Sequence, residues 1–586
     1  VNRVGFFKSS LTFLSPMKRI KKSSVSDAGS PTSKKQKPGE KLDFFNDHFI
    51  VDLDDPVAEQ LSAGVNASKA LLKSDLFENS STTLNSNGIK IHCTDVTRRL
   101  PFEKFGHVFK LLNRFKEIYP DGLDKEQEDL YQVIGRYMDL CFVGETKSYM
   151  PLLSLHSLNH VVKTRNIILK NNETLEKASK TGNLTDDMIE SARDQGLSRP
   201  KVLFITPMRK FAHYFIKNLI ELYFPDEKRT IMNRSRFEEE FGDNGHVPHE
   251  RKKPDFRELM SGNIDDCFRI GIQVSRKSIK LYQKFSEADI LVCSPIGMRM
   301  VIGEEGETEG ESDFLSSIEV VIVDRANIIM MQNWEHLMHL LNTVNCVPKK
   351  IETDISRVRQ WSIKNFGKLY RQMIIFSEIN FTELHSLFYA NSKNYAGGLT
   401  VIKNPKELLN DIEKPLLQEF HRFDCQAAAN QSDLRFDYFT RNILPSLEHG
   451  TLIFVSSYFD FVRLRNYMKK ENESFVQLHE YAKLHKISRA RDMFYHRKKK
   501  LIIMTERFHF FKRFTIKGVA SIVFYQLPMN PHFFSELINE SSPEGRLESK
   551  VVFSRFDIFR LQNIFGSAQA KELIKSDKKF HALVSE

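Results

Sequence analysis

Short apolar runs recur along this chain, each followed by an amphipathic stretch of helix length, and this alternation restricts the fold more than any other feature. "KVLFIT" (201–206) precedes "PMRKFAHYFIKNLIELYF" (207–224), and "ADILVCS" (288–294), "VVIVD" (320–324) and "RQMIIFS" (371–377) behave likewise. Strands that are apolar on both faces, separated by amphipathic helices, predict a parallel sheet covered on both sides. A second series starts near residue 450. It runs through "TLIFVSS" (451–457), the helix "YFDFVRLRNYMKKE" (458–471), "SFVQLH" (474–479), the helix "SRARDMFYH" (488–496), "KKLIIMTE" (499–506) and "GVASIVFYQLP" (518–528). The expected fold class is therefore α/β with two tandem parallel-sheet lobes, lobe 1 over 119–405 and lobe 2 over 446–575. An N-terminal extension (46–118), a connector (406–445, within a link that starts near 399) and a C-terminal tail (576–586) complete the expected organisation. The acidic stretch "GEEGETEGESD" (303–313) is expected to be an exposed insertion.

Charge divides the chain differently. The net charge of +11 over 586 residues hides two basic zones, +7 in residues 1–45 and +10 in residues 483–517, on a body of −6. Such zones point to anionic partners, nucleic acid first. The first 45 residues are rich in Ser, Lys and Pro and lack periodicity, which predicts a disordered basic tail. Inside it, "KRIKK" (18–22) and "KKQK" (34–37), eleven residues apart, have the form of a bipartite nuclear import signal. A mitochondrial presequence is the competing reading, since the first 26 residues hold no acid, but clustered lysines suit it poorly. No apolar run approaches the roughly 20 residues that span a bilayer, so no membrane partner is expected. Six scattered cysteines without a C-x-x-C pair fit a reducing compartment. His156 and His160 have helical metal-ligand spacing but no third ligand, so they are expected to be core or surface histidines; no metal or other cofactor is expected.

The strand ends carry the functional signal. "ITPMRK" (205–210), "CSPIGMR" (293–299) and "IIMTERFHFFKRFTIKGVASIVFYQLP" (502–528) stand where DEAD-box RNA helicases have their Pro-Thr-Arg-Glu, Thr-Pro-Gly-Arg and fifth motifs. The two lobes thus resemble the RecA-like pair of those enzymes. Longer stretches, "GNIDDCFRIGI" (262–272), "MQNWEHLMHLL" (331–341), "SSYFDFVRLRNYMKKE" (456–471), "KISRARDMFYH" (486–496) and "TERFHFF" (505–511), are similar to the digestive organ expansion factor family. These are U3 small nucleolar RNA-associated proteins of the small-subunit processome, and the resemblance covers roughly residues 119–575. It implies a nucleolar ribosome-assembly factor on a degenerate helicase core. The partners it implies are U3 small nucleolar RNA, pre-rRNA and other processome proteins. "FSEIN" (376–380) departs from the family's Phe-Ser-Ala pattern, and the front of the chain is basic where the family has a long acidic region.

The nucleotide site looks broken. A P-loop uses glycines so that backbone N–H groups can wrap phosphates. In "CFVGETKSYMPLL" (141–153), after a possible adenine-reading Gln127, Lys147 and Ser148 stand in order, but Thr146 and Cys141 replace the two glycines. Asp324 has the place of the magnesium-holding acid, yet Arg325 follows it where the water-orienting Glu belongs. Loss of such a base costs about 10²–10⁴ in rate. "PHFFSELINESSPEGR" (531–546) keeps one arginine, Arg546, of the helicase cluster, and a missing arginine finger costs about 10³–10⁵.

The RNA-facing positions are better kept. Arg209, Lys210, Ser294, Gly297, Arg299, Thr505, Arg507, Lys512 and Arg513 match backbone-contacting positions of the helicases. Arg can grip a phosphate through two hydrogen bonds, and Gly permits close approach. The neighbouring Phe508, Phe510, Phe511 and Phe514 are expected mainly in the core. Three functions follow in order: a non-catalytic processome component that holds RNA and proteins, an active ATP-dependent RNA helicase, and a protein-only scaffold.

Overall fold

The apolar runs form strands, and the strands sort into two sheets. The computed structural model describes residues 42–64, 70–73, 76–77, 80–86, 99–145, 149–224, 230–303, 311–404, 408–541 and 546–585. Among these, the first sheet holds β1 (Ala70–Lys73), β2 (Ser80–Ser86), β3 (Asp139–Val143), β4 (Val202–Ile205), β5 (Thr230–Met232), β6 (Arg269–Val274), β7 (Ser278–Leu281), β8 (Ile290–Cys293), β9 (Val320–Val323), β10 (Gln372–Ser377) and β11 (Gly398–Lys403). Their order is β1-β2-β11-β3-β10-β9-β4-β8-β6-β7-β5, and the centre, β11 to β8, is parallel throughout. The second sheet holds β12 (Leu416–Arg422), β13 (Thr451–Val455), β14 (Phe475–Leu478), β15 (Leu501–Thr505), β16 (Ser521–Phe524), β17 (Leu547–Phe553) and β18 (Phe580–Ser585), ordered β14-β15-β13-β16-β17-β12-β18. Only β18 among them runs antiparallel. These are two RecA-like lobes in tandem. Strands β3, β4, β8, β9 and β10 are buried along their whole length, as continuous apolar runs require.

The ends of the chain differ from expectation. Residues 1–41, which include both lysine clusters, lie outside the described residues, but 42–45 belong to the fold. The helix Phe44–Phe49 buries Phe45, His48 and Phe49. The His48 ring stacks on Tyr395 at 4.7 Å, and the Tyr395 hydroxyl donates to the His48 carbonyl at 2.7 Å. This helix is thereby fastened to lobe 1 by residues some 350 positions away. The expected extension contributes the β1–β2 hairpin, which continues the first sheet antiparallel to β11. Residues 406–445, expected as a connector, supply β12, and the expected tail supplies β18, which pairs with it. The sequence of β12, "LLQEFHR", alternates buried and half-buried side chains, the period of a strand near a sheet edge, so it lacks the continuous apolar signal of the central strands.

His156 and His160 are core residues. His156 Nε2 lies 2.7 Å from Gln372 Oε1, and His160 Nδ1 lies 3.2 Å from the Tyr137 hydroxyl. No helix among the described residues is long and apolar enough to cross a membrane.

The lobes share one apolar core, which includes Val323 and Met373 of lobe 1 with Leu452, Phe508 and Phe533 of lobe 2. Polar contacts close the seam. Arg513 reaches Asp255 of lobe 1 at 2.6 Å, and Lys252 Nζ donates to the Arg513 carbonyl at 2.9 Å. On the other side, Asn563 Nδ2 donates to the Asn380 carbonyl at 2.7 Å, and the rings of His385 and Phe559 stack at 5.0 Å.

Candidate nucleotide site and nucleic-acid interface

Parallel strands place their carboxyl ends together, so β4 and β9 bring Thr206 and Asp324 side by side at one rim of the sheet. Asp324 is buried, and its Oδ2 accepts from Thr206 Oγ1 at 3.0 Å. The same oxygen accepts from Arg325 Nη1. Arg325 adopts the left-handed backbone conformation (φ 53°) at the start of the helix Ala326–Met331, a conformation that L-residues adopt at a cost. That turn swings its guanidinium back onto Asp324 and over the Phe211 ring at 3.9 Å. The acid expected at the magnesium position therefore already holds a cation, one supplied by the next residue. A metal ion would have to displace a charge-assisted hydrogen bond from a buried carboxylate. Asn327 bridges onward, accepting from the Glu378 amide at 3.3 Å.

The rest of the expected nucleotide site is less informative. Gln127 closes a capping box with Asp124, its amide N–H bonded to the Asp124 carboxylate at 2.8 Å. Cys141 lies inside β3, not in a phosphate loop. Thr146, Lys147 and Ser148 lie outside the described residues. Arg546 is exposed just before β17.

The RNA candidates form two groups at strand ends, and most are engaged. In lobe 1, Arg209 lies 3.2 Å from Asp265 and donates to the carbonyls of Glu240 and Cys267 at 3.2 and 3.1 Å. Lys210 Nζ reaches the carbonyls of Glu258 and Leu259, which end the helix Pro254–Met260. Ser294 caps the helix Pro295–Ile302 by accepting from the Gly297 amide at 3.1 Å. A Cβ at Gly297 would sit 2.1 Å from the carbonyl oxygen of Phe268, which precedes β6, so that close approach explains the glycine. Arg299 is half-buried on the same helix.

In lobe 2, the Thr505 hydroxyl caps the helix Glu506–Lys512 and donates to Glu480 at 2.8 Å. Arg507 lies 3.5 Å from the other oxygen of Glu480. Arg513 Nε is 2.7 Å from Glu536, and its guanidinium covers the Phe533 ring at 4.5 Å. Lys512 makes no ion pair among the described residues. Phe508 and Phe510 are buried, and Phe511 and Phe514 pack against the same core. The sequence did not reveal Phe211 beneath Arg325, Glu480 beside Arg507, or Glu536 beside Arg513. Each is a long-range partner with no motif of its own.

Two RecA-like lobes in tandem define a protein of DEAD-box-like fold, in which the acidic strand end of the first lobe is closed by its own arginine. Family profiles described as "UTP25, NTP hydrolase-like domain" and "Utp25, C-terminal domain" match residues 137–399 and 408–583. The chain belongs to the UTP25 family. It is 36% identical to the U3 small nucleolar RNA-associated protein 25 of Schizosaccharomyces pombe, over 80% of this chain and 75% of that one. The Homo sapiens and Xenopus tropicalis homologues are 39% and 37% identical over 78% and 79% of this chain. The chain spans 63% of the length of each of these two relatives. Among solved structures, the yeast DEAD-box splicing factor Prp28 matches at 12% identity, covering 90% of this chain and 96% of that chain, with a TM-score of 0.30. S. cerevisiae Dbp5 bound to RNA and ADP BeF3 matches at 15% identity over 80% of this chain and 93% of that chain, with a TM-score of 0.28.

Proposed function

We propose that this protein is a non-catalytic ribosome-assembly factor of the small-subunit processome, a former helicase core retained to hold RNA and neighbouring proteins. The observation that carries the non-catalytic part is the Arg325–Asp324 pair, which neutralises the acid that would hold magnesium. The names of the relatives support association with U3 small nucleolar RNA, and with it pre-rRNA binding, a role in 18S rRNA maturation, and residence in the nucleus and nucleolus. Purified chain should show no ATP hydrolysis above background, with or without RNA. RNA-stimulated turnover abolished by Lys147→Ala would replace this reading with that of an active helicase.

The RNA contact is assigned to the phosphate backbone, through Arg507, Lys512 and Arg299, with Arg209, Lys210, Ser294, Gly297 and Thr505 shaping the strand ends beside them. Arg513 is excluded from the test variant because it is tied into the seam between the lobes. Replacing Arg507 and Lys512 with Ala should flatten the salt slope of single-stranded RNA binding by about 0.7 per lost contact. The loss should be similar across sequences, because phosphates carry no sequence information. An unchanged slope in a normally melting variant would instead favour a protein-only scaffold.

A further inference from the structure

The basic strip of lobe 2 divides into occupied and unoccupied charges. Arg491 donates to the Thr515 carbonyl, Arg507 faces Glu480, and Arg513 faces Glu536 and Asp255. By contrast, Lys483, Lys486, Arg489 and Lys499 make no ion pair among the described residues, and neither does Lys469 on the preceding helix. These five line one groove of about 790 Å³, in which Glu473 is the single acid among the described residues.

The floor of that groove is β14, the edge strand of the second sheet. The Ser474 carbonyl accepts from the Leu501 amide at 3.0 Å, so Ser474 faces β15. Backbone groups alternate along a strand, so Phe475 and Gln477 turn their N–H and C=O groups to the open side. The helices on either side pack on opposite faces of the sheet. Phe461, Leu464 and Met468 of Tyr458–Lys470 join one apolar cluster, while Ile487, Ala490 and Phe494 of Leu484–Tyr495 join the other. The edge therefore lies in a slot between two helices, with Tyr481 and Leu484 exposed at 65% and 66% beside it.

We propose that this slot docks an acidic peptide, which adds to the second sheet as a strand alongside β14. Proteins usually blunt a free edge with charge or proline on the strand itself. "FVQL" has neither, and the cations stand on the slot walls, where they select the charge of an incoming strand without blocking its pairing. A peptide matches the outward N–H and C=O groups of Phe475 and Gln477 one for one. RNA phosphates would bring acceptors against those carbonyls.

The test uses the whole chain and a fluorescein-labelled ten-residue probe of alternating Glu and Val. Binding at low salt is expected, and N-methylation of every probe amide, which leaves neither edge of the peptide able to donate, should weaken it at least about tenfold, the equivalent of one to two net hydrogen bonds. Lys483→Glu, Lys486→Glu and Arg489→Glu together should weaken it by a similar factor, with the melting temperature as folding control. The N-methylated probe leaves the protein untouched, so it decides the matter even if the triple variant misfolds. Failure of the parent probe to bind overturns the proposal. So does equal binding of the N-methylated probe, or displacement of the parent probe by a uridine decamer that binds more tightly, which would make the slot an RNA groove.

Discussion

Glu319→Ala is expected to destabilise lobe 1 by about 3–5 kcal/mol, the usual cost of removing one partner from a buried ionic group. Glu319 immediately precedes β9 and is 2% exposed. Its Oε1 accepts from Arg359 at 2.6 Å, and Lys201 Nζ is 3.4 Å from the same oxygen. His160 Nε2 lies 3.1 Å from the other oxygen. Burial alone would raise the Glu319 carboxyl, but Arg359 and Lys201 outweigh it and hold the group well below the usual carboxylate range. Burial also lowers His160, which leaves Arg359 and Lys201 as the main counter-ions. Alanine would leave both buried without an anion. Urea denaturation followed by circular dichroism measures the effect, and a loss below about 1 kcal/mol would mean that water reaches the cluster.

Arg513→Ala is expected to cost a comparable amount and to loosen the lobe seam. Its side chain is 6% exposed, against 9% for Glu536, with 2.6 Å between them. Although burial opposes ionisation, His509 and Arg513 pull the Glu536 carboxyl down to about 2. A group depressed on folding stabilises above its unfolded pKa, about 4.3 for Glu, and that stabilisation is lost as pH falls towards the folded value. The Glu536–Arg513 pair, both in lobe 2, should therefore weaken below about pH 4 and release Arg513 from its position against Asp255 across the seam, and part of that acid sensitivity should vanish in Arg513→Ala. Small-angle scattering and limited proteolysis across pH 3–7 would reveal the opening. Retained compactness and unchanged proteolysis in the variant would show that the shared apolar core alone joins the lobes. Asp255 is 62% exposed on its side chain, so solvent screens its share of the bond.

The two-lobed α/β class was legible because its signal is local. Continuous apolar runs such as "VVIVD" must be buried on both faces, and a parallel sheet flanked by helices provides that burial. The same locality made Asp324 and Arg325 readable as a damaged strand end, since the two are neighbours in sequence. Weakly alternating strands escaped notice. β12 and β18 lie at the margin of their sheet, and β1 and β2 are added to β11 from a segment that carries no long apolar run.

The sequence alone determined the charge of residues 483–517, the periods of the helices and strands, and the residue that follows the acid of β9. Tertiary structure decided which of those charges are available. Arg513 and Lys486 are equivalent in composition, but Arg513 meets an acid 23 residues onward and another 258 residues back. Lys486 stands on the wall of an open sheet edge. Charge and periodicity belong to single residues and their near neighbours and are written along the chain. An ion pair depends on which distant side chain the fold delivers within about 4 Å, and no local pattern encodes that meeting.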